Sequence, residues 1–187
     1  MEACIPVIFI TGPSGVGKST LLRQAINFNW PSQLKVLIPK KYTTRDLREG
    51  EQDFELEKIN ADKFRDLKQS FLVHYESYGK FYGLEAETFA KPDFSKIYIQ
   101  ALPTGMALEA KKKLAAPWKV YICRLEAKPE EIRRRLIERG DEITLRQMVD
   151  RAKGASKPKN GEGIDFILST SIDPKELVAV LKDRIFS

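Results

Sequence analysis

Ile5-Pro6-Val7-Ile8-Phe9-Ile10-Thr11-Gly12-Pro13-Ser14-Gly15-Val16-Gly17-Lys18-Ser19-Thr20 decides the fold. Its first half is a short apolar run rich in β-branched residues and without polar alternation. A strand buried on both faces of a parallel sheet reads this way. Its second half fits G-x-x-x-x-G-K-[ST] from Gly12 to Ser19. The glycines let the backbone curl so that its N–H groups converge on phosphate oxygens. The helix that follows adds the partial positive charge of its N-terminus. In such a loop Gly12, Pro13, Ser14, Gly15, Val16, Gly17, Lys18, Ser19 and Thr20 cradle a nucleotide's phosphates. Lys18 reaches the β- and γ-phosphates, and Ser19 offers its hydroxyl to Mg²⁺. The alternative, a glycine-rich turn with a chance lysine, leaves the order strand, loop, helix unexplained.

Outward from this stretch the chain alternates. Leu21, Leu22, Ala25 and Ile26 stand at helical spacing within 18–28, and 34–38 reads as a second strand. The rhythm resumes with a strand over 96–100, a helix over 104–114, a strand over 118–123 and a helix over 128–139. A further helix near Leu145 and Met148, a glycine- and lysine-rich loop over 154–163 and a strand over 164–168 follow. Asp173, Pro174 and Glu176 then stand as N-cap, N1 and N3 of a last helix. This pattern predicts a parallel sheet covered on both faces. Residues 41 to about 90 break the rhythm. Asn60 caps a short helix through Phe64 and Leu67, residues 71–77 read as a strand, and 78–83 form an aromatic, glycine-rich turn. These small mixed pieces read as an insertion over the core sheet.

The chain of 187 residues suits one domain, 1–187, and its 42% hydrophobic, 31% charged composition is that of a soluble globular protein. No apolar run is long enough to span a bilayer, and MEACIPVIFI lacks the basic start of a signal peptide. Two cysteines, Cys4 and Cys123, are expected as free thiols of a cytoplasmic protein. With one histidine, His74, a zinc cluster is not expected. The net charge of +6 suits either nucleic acid or a polyphosphorylated small molecule. The placing of arginines in loops favours the small molecule. Lys111, Lys112 and Lys113, with Lys153, Lys157 and Lys159, are expected on the solvated surface.

Two of those arginines stand in Tyr42-Thr43-Thr44-Arg45-Asp46-Leu47-Arg48. On residue type alone Arg45 and Arg48 are either a phosphate clamp or solvated charges; arginine suits the clamp because its planar guanidinium recognises phosphate bidentately. Taken with the phosphate loop, Thr43-Thr44-Arg45, Tyr82-Gly83 and Arg135-Leu136-Ile137-Glu138-Arg139-Gly140, the chain resembles the guanylate kinase-like P-loop kinases over nearly its full length. The resemblance implies a P-loop NTPase three-layer α/β sandwich with a central parallel sheet. It implies an inserted acceptor-binding subdomain over 41–90 and a short lid over 135–155. It implies ATP as donor, Mg²⁺, and a small phosphorylated acceptor held by Thr44, Arg45, Arg48 and Tyr82. Arg135 and Arg139 would be lid arginines closing on the transferring phosphoryl group. Arg146 and Arg151 both qualify as a third, with Arg146 preferred. Arg133 and Arg134 are read as solvent-facing.

The departures from the family pattern concern the base. Where guanylate kinases present a serine, a glutamate and an aspartate to guanine, this chain has Lys41, Val73 and Leu102, none of which accepts a hydrogen bond through its side chain. Glu76, an odd number of strand residues from Val73, points to the other face. One branch, ribose 1,5-bisphosphate phosphokinase, is similar at Lys41 to Asp46 and in a core strand ending in an amide such as Gln100. The leading expectation is therefore a kinase making 5-phosphoribosyl 1-diphosphate from ribose 1,5-bisphosphate, with Lys41 near the acceptor. A guanylate or other nucleoside monophosphate kinase is the alternative. A phosphopeptide-binding domain is a third reading, opposed by the intact Lys18 and Ser19. Asp53 and Glu55 could touch acceptor or Mg²⁺, or be surface charge. Nucleic acid and membrane partners are not expected, and nothing in the sequence indicates an oligomeric state.

Overall fold

The computed structural model describes residues 4–47, 55–138 and 163–187. A five-stranded sheet forms the centre, built from β1 (Ile5–Thr11), β2 (Lys35–Leu37), β7 (Lys96–Ala101), β8 (Trp118–Glu126) and β9 (Phe166–Ser169). Its order is β2-β7-β1-β8-β9, and every neighbouring pair is parallel. β1 is central and buried at all seven positions. Ile8 and Ile10 enter one apolar cluster with Leu21, Leu22, Val178 and Leu181. Val7 and Phe9 enter the other with Tyr98, Ala107 and Ala110. The period of two thus sends alternate residues of one apolar strand into two cores. Helices α1 (Lys18–Ile26) and α5 (Pro174–Phe186) supply the first core and α3 (Thr104–Lys113) the second. This is the three-layer arrangement expected.

A second sheet uses residues between Lys41 and Glu85: β3 (Lys41–Thr43), β4 (Glu57–Lys58), β5 (Phe71–Ser77) and β6 (Lys80–Glu85), in the order β4-β3-β6-β5. Helix α2 (Ala61–Asp66) packs on it, with the Asn60 side chain accepting from the Lys63 N–H at 2.8 Å. A small aromatic core of Tyr42, Phe64 and Phe71, with Ile59, holds this unit together. Gly83 is required here, because a Cβ would lie 2.5 Å from the Phe71 ring. The turn expected over 78–83 is shorter than read. Tyr78 and Gly79 alone make it, both at positive φ (52° and 69°). That is the backbone of a two-residue hairpin, and the rest of the stretch is strand.

Helix α4 (Pro129–Glu138) lies against the phosphate loop: a Cβ on Gly15 would meet Leu136 Cγ at 2.9 Å. Among the described residues no helix is long and apolar enough to cross a membrane. Cys4 is exposed and Cys123 buried, both free, and burial pushes the Cys123 thiol up to about 12. The lysines of α3 lie at the surface as expected, Lys112 and Lys113 exposed and Lys111 half-buried. Lys111 donates to both Asp165 oxygens, and Lys113 reaches Glu109 and the Leu72 carbonyl.

Candidate active site

The turn between β1 and α1 carries the phosphate loop. Gly12, Gly15 and Gly17 all adopt positive φ, and a Cβ on Gly12 would lie 2.6 Å from the Leu125 carbonyl oxygen. Lys18 folds across the loop and donates to the Gly12 and Pro13 carbonyls, both at 2.8 Å. Its ammonium is thereby held over the cradle. Arg135, reaching in from α4, donates to the Val16 carbonyl at 3.2 Å, to Thr170 Oγ1 at 3.0 Å and to the Thr170 carbonyl at 3.1 Å. It ties the loop to the end of β9. Arg133 and Arg134 are exposed, as read.

The loop forms one end of a cleft of about 1220 Å³, whose other wall is the second sheet. Arg45, Tyr75, Ser77, Lys80 and Tyr82 line that wall. Thr44 pins the arm in place: its N–H donates to the Phe81 carbonyl at 3.1 Å and its Oγ1 accepts from the Phe81 N–H at 2.9 Å. Arg45 donates to the Asp46 carbonyl at 2.8 Å. Tyr82 stacks on Tyr75, with ring centroids 4.9 Å apart and planes inclined by 7°. Tyr75, missed in the sequence, follows from alternation along β5. Residues 73, 75 and 77 share a face, and 75 and 77 line the cleft. Val73, further along the same face, is sealed in the apolar core. Leu102 borders the cleft but is buried in the same core.

Between the two walls lies a buried polar junction. Lys41, 5% exposed, donates to Glu55 Oε1 at 3.4 Å, to Gln100 Oε1 at 3.3 Å and to the Ala101 carbonyl at 2.9 Å. Gln100 donates to the Pro39 carbonyl at 2.7 Å and, at 3.5 Å, to the Glu55 carbonyl. Glu55 Oε2 accepts from the Ser19 hydroxyl at 2.8 Å. Burial is the largest influence on Glu55 and pushes its carboxyl up. The Lys41 charge, the hydrogen bonds from Ser19 and Lys41, and the Lys18 charge outweigh it and hold the group below its ordinary value. Glu55 is therefore an ionised carboxylate seated on the phosphate loop.

This donor set fits Mg²⁺. Ser19 and Glu55 offer hard oxygens, and Mg²⁺ is commonly held by one or two protein groups plus phosphate oxygens and water. Among the described residues no group of three or more His, Cys, Asp or Glu forms a protein-only cage. Of the residues singled out in the sequence, the structure brings together the phosphate loop, Lys41, Arg45, Tyr82 and Arg135. Thr44 holds the arm that presents Arg45. Arg48, Asp53, Arg139, Arg146 and Arg151 lie outside the described residues.

No family model matches the chain. It is 32% identical over 164 residues to a guanylate kinase of Prochlorococcus marinus, covering 82% of this chain and 84% of that one. It is 22% identical over 158 residues to the ribose 1,5-bisphosphate phosphokinase PhnN of Acidiphilium cryptum, covering 84% and 81%. The fold matches a crystal structure of guanylate kinase from Anaplasma phagocytophilum with a TM-score of 0.66 and 18% identity, over 99% of this chain and 86% of that one. Sequence kinship thus favours guanylate kinases over the sugar bisphosphate enzyme, against the leading expectation from the site residues alone.

Proposed function

The chain belongs to the guanylate kinase family, and from that premise we propose that it transfers the γ-phosphoryl group of ATP to the phosphate of a nucleoside monophosphate, with GMP the first acceptor to test. The observation that carries this reading is one cleft in which a complete phosphate loop faces an arm bearing Arg45 and Tyr82. An acceptor phosphate bound by Arg45 and Tyr82 would point its oxygens at the donor's terminal phosphate. Positioning is then most of the catalysis, since a phosphate oxygen is already a nucleophile and needs no general base. Lys18 and Arg135 supply positive charge beside the loop, where negative charge spreads in the transition state. Mg²⁺, when bound at Ser19, would neutralise phosphate charge. Lys41, Val73 and Leu102 offer guanine no acceptor, so discrimination between bases is expected to be weak.

A second reading, ribose 1,5-bisphosphate as acceptor, is favoured by a separate observation. Val73 and Leu102 are 1% and 2% exposed, and the Tyr75 ring lies flat on Tyr82 in the acceptor wall. A sugar phosphate has no base to be read there. The deciding experiment is ADP release from ATP and Mg²⁺ with GMP, other nucleoside monophosphates and ribose 1,5-bisphosphate as separate acceptors. A nucleotide-dependent rate supports the first reading. A rate with ribose 1,5-bisphosphate and none with any nucleotide replaces it by the second. ATP binding without transfer to any of them leaves only a binding domain.

A further inference from the structure

Glu55 is the residue whose placement neither the phosphate loop nor the acceptor clamp requires. It arrives from the inserted arm, yet its Oε2 accepts a hydrogen bond from the hydroxyl of Ser19, the loop residue that would ligate the metal. It is 8% exposed, and its other oxygen is held by Lys41. A buried carboxylate beside a site for polyphosphate opposes nucleotide binding unless a cation stands between them. At the end of β7, where many phosphate-loop ATPases carry an aspartate, this chain carries the neutral Gln100. That amide accepts from the same lysine that grips Glu55 and donates to the Glu55 backbone carbonyl.

We infer that Glu55 is the positioning residue for the metal: its carboxylate fixes the Ser19 hydroxyl proton so that the oxygen lone pair faces Mg²⁺. Lys41 and Gln100 lock the carboxylate in place. The negative charge that other phosphate-loop enzymes keep on the strand end has moved to the inserted arm. A carboxylate oxygen accepts more than one hydrogen bond, so Oε2 also suits a water of the metal's hydration shell.

The inference rests on the kinase reading, and its test separates the two. Mn²⁺ is titrated into the protein–ADP complex and followed by electron paramagnetic resonance. The same proteins are titrated with ADP in EDTA. Glu55→Gln takes a carboxylate partner from the buried Lys41, so Lys41→Met/Glu55→Gln is measured beside it. Both variants are expected to bind Mn²⁺ about 10–100-fold more weakly, as loss of a ligand's outer hydrogen-bond partner usually does. Metal-free ADP affinity is expected to hold or tighten, because a negative charge near the phosphates is gone. Unchanged Mn²⁺ affinity overturns the inference. So does a parallel fall of metal-free and metal-bound affinity, which marks a merely structural role. Failure of the wild type to bind ADP at all removes the kinase reading with it.

Discussion

At the scale of single residues, the Lys41–Glu55 pair changes how the site is understood. Lys41, expected from the sequence near the acceptor, is buried and donates to Glu55, Gln100 and Ala101. Removing one member of a buried ion pair costs about 3–5 kcal/mol, because the other charge stays buried. A test of the pair therefore removes both. Glu55 is held below its ordinary value of 4.5. It binds a proton more readily unfolded than folded, so its contribution is complete above the ordinary value and is lost as pH falls through the lowered one. As pH falls below 4.5, the urea midpoint of the wild type is expected to drop more steeply than that of Lys41→Met/Glu55→Gln. Asp46 and Asp93 are also lowered, but both proteins share them. Equal slopes would show that the pair contributes nothing to acid stability.

At the scale of elements, legibility followed the distance over which each element is decided. β1 and β5 were read almost to their ends, since alternation or an unbroken apolar run marks them locally. The phosphate loop was equally plain, because strand, glycines and helix are consecutive. β3 was missed: three residues carry no period, and its pairing depends on Glu57 and Tyr82 far along the chain. The polar junction was invisible for the same reason, its partners lying 14, 36 and 59 residues apart. The β5–β6 turn was overdrawn because Phe81 and Tyr82 follow a glycine, yet they belong to the strand. That hairpin gives a direct test. Gly83→Ala drives a methyl into the Phe71 ring, which is packed between Tyr42 and Phe64. Overpacking of this kind costs about 1–3 kcal/mol. Amide hydrogen exchange is expected to quicken in β3, β5 and β6 and to stay slow in β1 and β7. Unaltered exchange in the hairpin would mean that Phe71 moves aside freely.

At the scale of the whole molecule, the two sheets face each other across the cleft, and the buried junction of Lys41, Glu55 and Gln100 ties them together. Donor binding at the loop should therefore stabilise the whole chain and not the loop alone. A ligand that binds only the folded state at about 100 times its dissociation constant adds about 2.7 kcal/mol. For a chain of this size each kcal/mol moves the melting temperature by about 2–4 °C. Saturating ATP with Mg²⁺ is thus expected to raise the wild-type melting temperature by several degrees in a single transition. Lys18 bridges the Gly12 and Pro13 carbonyls at the loop's entry. Lys18→Ala removes the charge that meets the β- and γ-phosphates and leaves the apolar cores intact. Its own melting temperature should stay close to that of the wild type, while the shift with ATP collapses. Differential scanning calorimetry of both proteins, with and without nucleotide, checks this. A full ATP shift in Lys18→Ala would place the nucleotide elsewhere in the fold. Two separate transitions in the wild type would show that the junction does not couple the sheets.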